Sequence, residues 1–392
     1  MSTVLQRQAA NLDDADIQVA IEPLPDLEWL APIWQALEKR ADRSFFLSWL
    51  WIGTWLATID CRPELITARL NGEIVGLGLV HARVKIRHRV LPVWTLYLNQ
   101  TGNDDQDVIT IEYNDILADR TVQDRVRHAC LRFMIEHGGI GEHEVGELVL
   151  GGFVGDRRAE IEAFGRPVQE RASDGSAFVD LAAMRAAKRP FLETLKPKTA
   201  RRIRRSIALY EERGGLKLEE AKDVDQALSF FESCGALHQT RWTARGRPGA
   251  FAYPFYIAFH RRLIAKALPL GKVELVRVSV DSEPIGFLYN FVDRGRVNYY
   301  FSGFRFEQDN RLKPGLVCHS LCIERHRAAD MDVYDFMGGD QRYKRELGQP
   351  GPDIVCLAVQ RPNWMLAAER PLRRFKQALD GLRLSPISRD CR

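Results

Sequence analysis

The 392-residue chain lacks the features that would place it in a special class. It has no CxxC pair. Its seven cysteines, Cys61, Cys130, Cys234, Cys318, Cys322, Cys356 and Cys391, are odd in number and scattered, which excludes a disulfide framework and predicts reduced thiols. It has no apolar run long enough to cross a bilayer: the most apolar stretch, FFLSWLWIGTWLATI at 45–59, has 15 residues, short of the roughly 20 required. Within it Phe45, Trp49, Ile52, Leu56 and Ile59 step by four and three, which predicts the buried face of a helix. The N-terminus MSTVLQRQAANLDDADIQVA has no basic start followed by an apolar core, so neither a secretory signal nor a transit peptide is expected, and a cytoplasmic protein is. Nor is there a strong charge of one sign. Fifty-six basic minus 52 acidic residues leave +4, too little for general nucleic-acid coating. Low-complexity segments are absent. The length exceeds that of one usual domain and predicts two.

What the chain does contain is a repeat of itself. ELITARLNGEIVGLGLV from Glu64 aligns without a gap to ELVRVSVDSEPIGFLYN from Glu274. Both read as strand, polar turn (Asn71-Gly72, Asp281-Ser282) and strand, with Gly76 or Gly286 near the start of the second strand. ELVLGGF at 147–153 and YDFMGGD at 334–340 are both short apolar strands ending in Gly-Gly, each preceded by a helical segment. Two copies of a hairpin, helix and strand unit imply a tandem α/β (mixed α+β) fold. The expected division is a flexible N-terminus at 1–20, a first lobe at 21–180 and a second at 181–392. The second copy carries extra elements: a basic helix between 190 and 213, two helices around HQTRWTARGRPGAFAYP, and an amphipathic basic tail helix over WMLAAERPLRRFKQALDGL.

Four places could carry chemistry. In NRLKPGLVCHSLCIE, Arg311, Lys313, Pro314 and Gly315 stand at a helix start, where unpaired N–H groups and the helix dipole suit a phosphate. The first copy approaches its helix through LADRTVQDR, without Pro-Gly, so the feature is not simply part of the repeated architecture. In CGALHQTRW, His238 and Arg241 share a helix face; the imidazole suits a general base near neutrality, and Trp242 offers a flat wall on which a sugar can stack. In KPKTARRIRR, Lys196, Lys198, Arg201, Arg202, Arg204 and Arg205 form a cationic run without an acid, suited to phosphates. A crowd of Cys318, His319, Cys322 and His326 on one helix has no second cluster to complete a zinc site, Cys356 being the only candidate fourth ligand, so no metal is expected.

The order and spacing of RRIRR, LHQTRW, GAF, YYFSGF, KPG and YDFMGGDQRYK resemble the acyltransferases of the GNAT superfamily, most closely the CelD-like branch of cellulose and exopolysaccharide biosynthesis, related to the tandem-lobed Fem aminoacyl-transferases. The likeness is clearest from about 188 to 350 and weaker over 40–155. It implies tandem GNAT-like lobes, each a twisted mixed sheet flanked by helices, the first degenerate and shaping the acceptor groove. It also implies acetyl-CoA or another acyl-CoA as co-substrate, its pyrophosphate held by Arg311, Lys313, Pro314 and Gly315, although Lys-Pro-Gly replaces the usual Gln/Arg-x-x-Gly-x-Gly/Ala turn. The strand end of GGDQRYKRE would face the acyl group, with Asp340, Tyr343 and Lys344 supplying a base, a donor to the leaving thiolate and positive charge for the oxyanion. The implied activity is N-acyl transfer to an amino-sugar or lipid-linked saccharide acceptor, bound in part by Arg201, Arg205, Arg241 and Trp242, with association at the inner membrane face and with polysaccharide-synthesis machinery. Two alternatives share the pattern: a Fem-like transferase using aminoacyl-tRNA, and a non-catalytic nucleotide-sensing regulator of envelope synthesis.

Overall fold

A computed structural model describes residues 16–87, 91–137, 139–140 and 143–361. The chain divides into two compact units, 1–173 with 355–392, and 174–354.

The first unit runs β1 (Ile17–Pro23), α1 (Leu27–Arg40), α2 (Trp49–Leu56), β2 (Glu64–Leu70), β3 (Glu73–Arg87), β4 (Leu91–Leu98), β5 (Leu117–Ala118), α3 (Gln123–Glu136), β6 (Gly139–Ile140), β7 (His143–Glu144), β8 (Glu147–Val154), α4 (Arg158–Glu162) and β9 (Val168–Asp174). The second runs β10 (Ser176–Asp180), α5 (Leu181–Ala186), α6 (Phe191–Thr194), α7 (Pro197–Glu211), β11 (Leu216–Glu220), α8 (Val224–Thr243), α9 (Pro254–Ala267), β12 (Val273–Val280), β13 (Glu283–Asp293), β14 (Arg296–Phe304), α10 (Pro314–Ala328), β15 (Val333–Gly338), α11 (Arg342–Leu347) and β16 (Gln349–Pro350). A last strand, β17 (Ile354–Gln360), joins the sheet of the first unit.

The two sheets repeat one plan. Their orders are β1-β2-β3-β4-β8-β17-β9 and β11-β12-β13-β14-β15-β10-β16, and in each the pairs β4/β8 and β14/β15 are parallel. The aligned hairpins match in detail. Asn71-Gly72 and Asp281-Ser282 have positive φ at both turn residues, the geometry that closes a two-residue hairpin. Both hairpins slip register at the same place, between Ala68 and Arg69 and between Val278 and Ser279, opposite Gly76 and Gly286. Those glycines admit a helix. A Cβ on Gly76 would strike Val126 of α3, and one on Gly286 would lie 2.9 Å from the Cys318 sulfur of α10. Each unit has its own core, one built around Ile66, Leu98, Val126 and Leu148, the other around Val276, Leu288, Val317 and Tyr334.

The expected boundaries change in three ways. Residues 17–20, expected in a flexible N-terminus, pair with β2. Residues 176–180, expected at the end of the first lobe, form an interior strand of the second sheet, while 354–360, expected in the second lobe, enters the first. Strand pairing across such separations has no local pattern to betray it. The helix expected over 45–59 starts at Trp49, where the Ser48 hydroxyl accepts from Trp51 N–H, and 51–56 is buried all round rather than on one face. The basic helix is α7, behind the short α6; the expected tail helix lies outside the described residues. Among the described residues no helix is long and apolar enough to cross a membrane.

Candidate active site

In the second sheet β14 and β15 run side by side only from Arg296/Val333 to Asn298/Asp335, then part. Two local irregularities separate them. β14 bulges at Tyr300, because Tyr299 and Phe301 pair with the adjacent residues Asn290 and Tyr289. β15 kinks at Met337, a non-glycine residue at φ 59° whose N–H bonds the Asp335 carboxylate at 2.7 Å instead of a neighbouring strand. Beside this parting of the strands, the cleft, the rings of Tyr299 and Phe304 of β14, Phe336 of β15 and Tyr343 of α11 pack around His319 of α10.

At the end of β14 the chain turns into α10. Pro314 occupies its first position. Lys313 N–H is spent on the Ser206 hydroxyl of α7 at 2.8 Å, whereas the Gly315 and Leu316 N–H groups have no described partner. A Cβ on Gly315 would lie 3.1 Å from the Phe304 ring, so glycine keeps this approach open. The Lys313 ammonium has no ion pair among the described residues. Arg311 differs: Asp309 accepts from its Nε and Nη2 at 2.9 and 2.6 Å. Those hydrogen bonds hold the Asp309 carboxyl down at about 2. Beside this turn, α7 buries Thr199, Ala200, Ile203, Ser206 and Tyr210. Lys196, Lys198, Arg201, Arg204 and Arg205 are exposed and unpaired among the described residues, while Arg202 pairs with Glu346.

The three residues expected to share the chemistry of GGDQRYK take separate places. Asp340 is exposed and paired with Arg345. Tyr343 places its hydroxyl 3.4 Å from that of Tyr299, in the cleft. Lys344 is buried, and its Nζ donates to the carbonyls of Phe336 at 2.7 Å and Gly338 at 2.5 Å. It braces the kinked strand end by bonding carbonyls on both sides of Met337.

His238, expected to titrate near neutrality, does not. Burial, helped by the Arg241 charge, pushes its pKa down to about 4. The ring packs on Phe301 and Trp242, centroids 4.3 and 5.5 Å away, and Trp242 also carries Arg247 over its ring. Sequence reasoning passed over two other histidines. His260 lies fully buried between the hydroxyls of Tyr289 and Tyr300, 3.2 Å from each. His319, noted only as a possible metal ligand, sits in the cleft; burial and the nearby Lys344 charge lower its pKa to about 3. Both rings are neutral in the folded state. As pH falls below about 6.5 the unfolded chain takes up a proton at each and the folded chain does not, so acid removes stability. We expect urea unfolding to show this as a loss of about 1.4 kcal/mol per pH unit per histidine between pH 6 and 4.

The remaining thiols and histidine of α10 do not gather as a tetrahedral set. Cys318 faces Gly286. Cys322 and His326 lie with Glu274, their ligand atoms within 4.8 Å of one another. That carboxylate is already engaged, accepting from His326 at 2.9 Å and Asn290 at 2.8 Å and pairing with Arg325. Burial opposes its charge, yet these partners hold it at about 2. The group is a closed ionic network. Cys356 lies on β17, in the other unit.

The corresponding place in the first unit is filled. Asn114 donates to Leu98 O at the end of β4 and to Gly151 O in β8, both at 2.9 Å, stitching the strand ends together. Asn99 in turn donates to Asn114 at 2.8 Å. At the start of α3 the Asp119 carboxylate accepts from Thr121 N–H at 3.0 Å, and Asp124 stands in the first turn. Acidic groups there repel a phosphate that the start of α10 would attract.

Residues 197–345, inside the second unit, match the family model described as acetyltransferase (GNAT) domain. No curated protein matches the chain in sequence. Among solved structures, FemX superimposes with a TM-score of 0.56 at 12% identity, over 90% of this chain and 99% of that one. The C-terminal domain of a putative lysylphosphatidylglycerol synthetase from Agrobacterium fabrum gives 0.51 at 11% identity, over 89% and 95%. L-PGS from Bacillus licheniformis gives 0.50 at 12% identity, over 88% and 95%. Identities this low speak for fold alone. Over 197–345 the chain is similar in sequence to the GNAT acetyltransferase domain, and along most of its length it is similar in fold to FemX.

Proposed function

We propose that this protein is an N-acyltransferase that moves an acyl group, in the first instance acetyl, from acyl-CoA to an amine of an exopolysaccharide or cell-envelope precursor, as in the CelD-like branch. The observation that carries the reading is the start of α10: two unpartnered N–H groups, an unpaired Lys313 and a glycine, opening on a cleft between parting strands. The helix start would hold the donor's phosphates. From Phe304 back to the bulge at Tyr300 is four residues of strand, about 13 Å, a path for an extended arm ending in an acyl group. There the Tyr343 hydroxyl would protonate the leaving thiolate, and Asp340 would draw in a cationic amine. Arg241 and Trp242 would border the acceptor. The five unpaired cations on and beside α7 would face a phosphate of a lipid-linked acceptor at the inner membrane surface, and Arg311, held by Asp309, would play the smaller part at the donor.

The same cations support a second reading, in which the acyl group arrives on RNA. Calorimetric titration separates the two. Acetyl-CoA is expected to bind with a micromolar Kd and aminoacyl-tRNA not at all; the reverse result would move the donor to RNA.

A further inference from the structure

His319 is the one cleft residue whose polar capacity is left half used. It is fully buried. Its Nδ1 lies 3.2 Å from the Tyr334 hydroxyl, and its Nε2 has no hydrogen-bond partner. The ring cannot turn away. It is stacked on Tyr343 with centroids 5.3 Å apart, and Tyr299, Phe304 and Phe336 meet it edge-on at 4.5, 5.8 and 5.2 Å. Those four neighbours come from β14, β15 and α11, the elements that border the cleft. A buried polar atom without a partner calls for an explanation, and a bond made only with a ligand is one. Here none of the described residues bonds it.

Resting on the acyl-transfer reading above, we propose that His319 Nε2–H donates a hydrogen bond to the carbonyl oxygen of the acyl donor and stabilises the oxyanion formed during transfer. In this arrangement the Tyr334 hydroxyl, 3.2 Å from Nδ1, donates to that nitrogen and the ring proton stands on Nε2. Burial and Lys344 keep the ring neutral far below physiological pH, which makes it a poor base and a constant donor. In the step itself the amine nitrogen bonds the acyl carbon, the carbonyl oxygen takes up the displaced electron pair, and the C–S bond breaks as the carbonyl re-forms. A cationic amine first loses one proton to solvent so that its nitrogen can attack, and the second proton lost by nitrogen is balanced by the one gained by the thiolate. His319 gives up no proton; it only holds the oxygen.

Two substitutions test this. His319→Phe keeps the ring packing and removes both nitrogens, while His319→Gln keeps an N–H near the Nε2 position. We expect kcat with acetyl-CoA to fall about 100-fold in His319→Phe with KM for acetyl-CoA within threefold of wild type and the Tm unchanged, and His319→Gln to recover most of the loss. Wild-type kcat in a folded His319→Phe overturns the proposal. A measurement on the unmutated protein guards against misfolding: the Nε2–H proton resonance should move downfield when acetonyl-CoA, a ketone in place of the thioester, is added. Binding of that analogue by calorimetry with an unmoved resonance overturns this inference alone. A wild-type protein that neither binds nor turns over acetyl-CoA overturns the donor reading, and this inference with it.

Discussion

The double variant Lys313→Glu, Gly315→Asp is expected to lose at least 100-fold in affinity for acetyl-CoA while melting within a few degrees of wild type. A charge-assisted hydrogen bond from Lys313 to a phosphate contributes about 1.5–3 kcal/mol, roughly ten- to hundredfold in Kd, and a carboxylate in its place adds repulsion. The helix responds in the opposite sense. An acidic residue in its first turn interacts favourably with the dipole by about 0.3–1 kcal/mol. This offsets the tight approach of a new Cβ to the Phe304 ring at 3.1 Å. Folding and binding therefore diverge, a signature that general damage cannot imitate. Calorimetry with acetyl-CoA beside a thermal melt reads both. An unchanged Kd would place the donor's phosphates elsewhere. Arg311→Ala is expected to matter less, since Asp309 already engages that guanidinium.

Lys344→Met is expected to cost about 2–4 kcal/mol of folding stability. The methionine matches the alkyl stem, so no large cavity opens. What disappears is the ammonium held by the carbonyls of Phe336 and Gly338. Each carbonyl then loses a charge-assisted bond worth about 1.5–3 kcal/mol, partly offset by relief of the buried charge. Those carbonyls belong to the kink that parts β15 from β14, so the cleft is expected to suffer with the fold. Urea unfolding measures the loss. A variant with wild-type stability and a collapsed kcat would instead return Lys344 to the role of oxyanion partner that the resemblance implied.

Much of this fold was legible because its signals are local. Alternation, two-residue turns and Gly-Gly strand ends recur at matched positions, and the structure reproduces even the register slip opposite Gly76 and Gly286. Pro314 and Gly315 announced a helix start, and a helix start it is. The losses were non-local. No pattern in 176–180 or 354–360 says which sheet each strand will complete, since a short apolar strand fits any sheet with a vacant neighbour. Lys344 reads as a cation for the oxyanion until the carbonyls around it are seen, and His238 reads as a near-neutral base until Phe301 and Trp242 close on it. His319 was grouped with its cysteines because they share a helix. Its partners, Tyr299 and Tyr343, lie 20 and 24 residues away. The Asp309–Arg311 pair is within local reach, two residues apart, but it carries no pattern that sets it off from an ordinary polar loop.

The placement of β17 bears on how the protein is made. The sheet of the first unit takes in a strand from 354–360, beyond the whole of the second unit in the chain. On the ribosome, the segment that begins the chain therefore waits for a strand translated about two hundred residues later, while the second unit, continuous from 174 to 354, has all its strands in hand sooner. The first sheet is thus completed only after the whole second unit has been made, and the interval in which it stands with an open flank is the one in which a chaperone would have most to do.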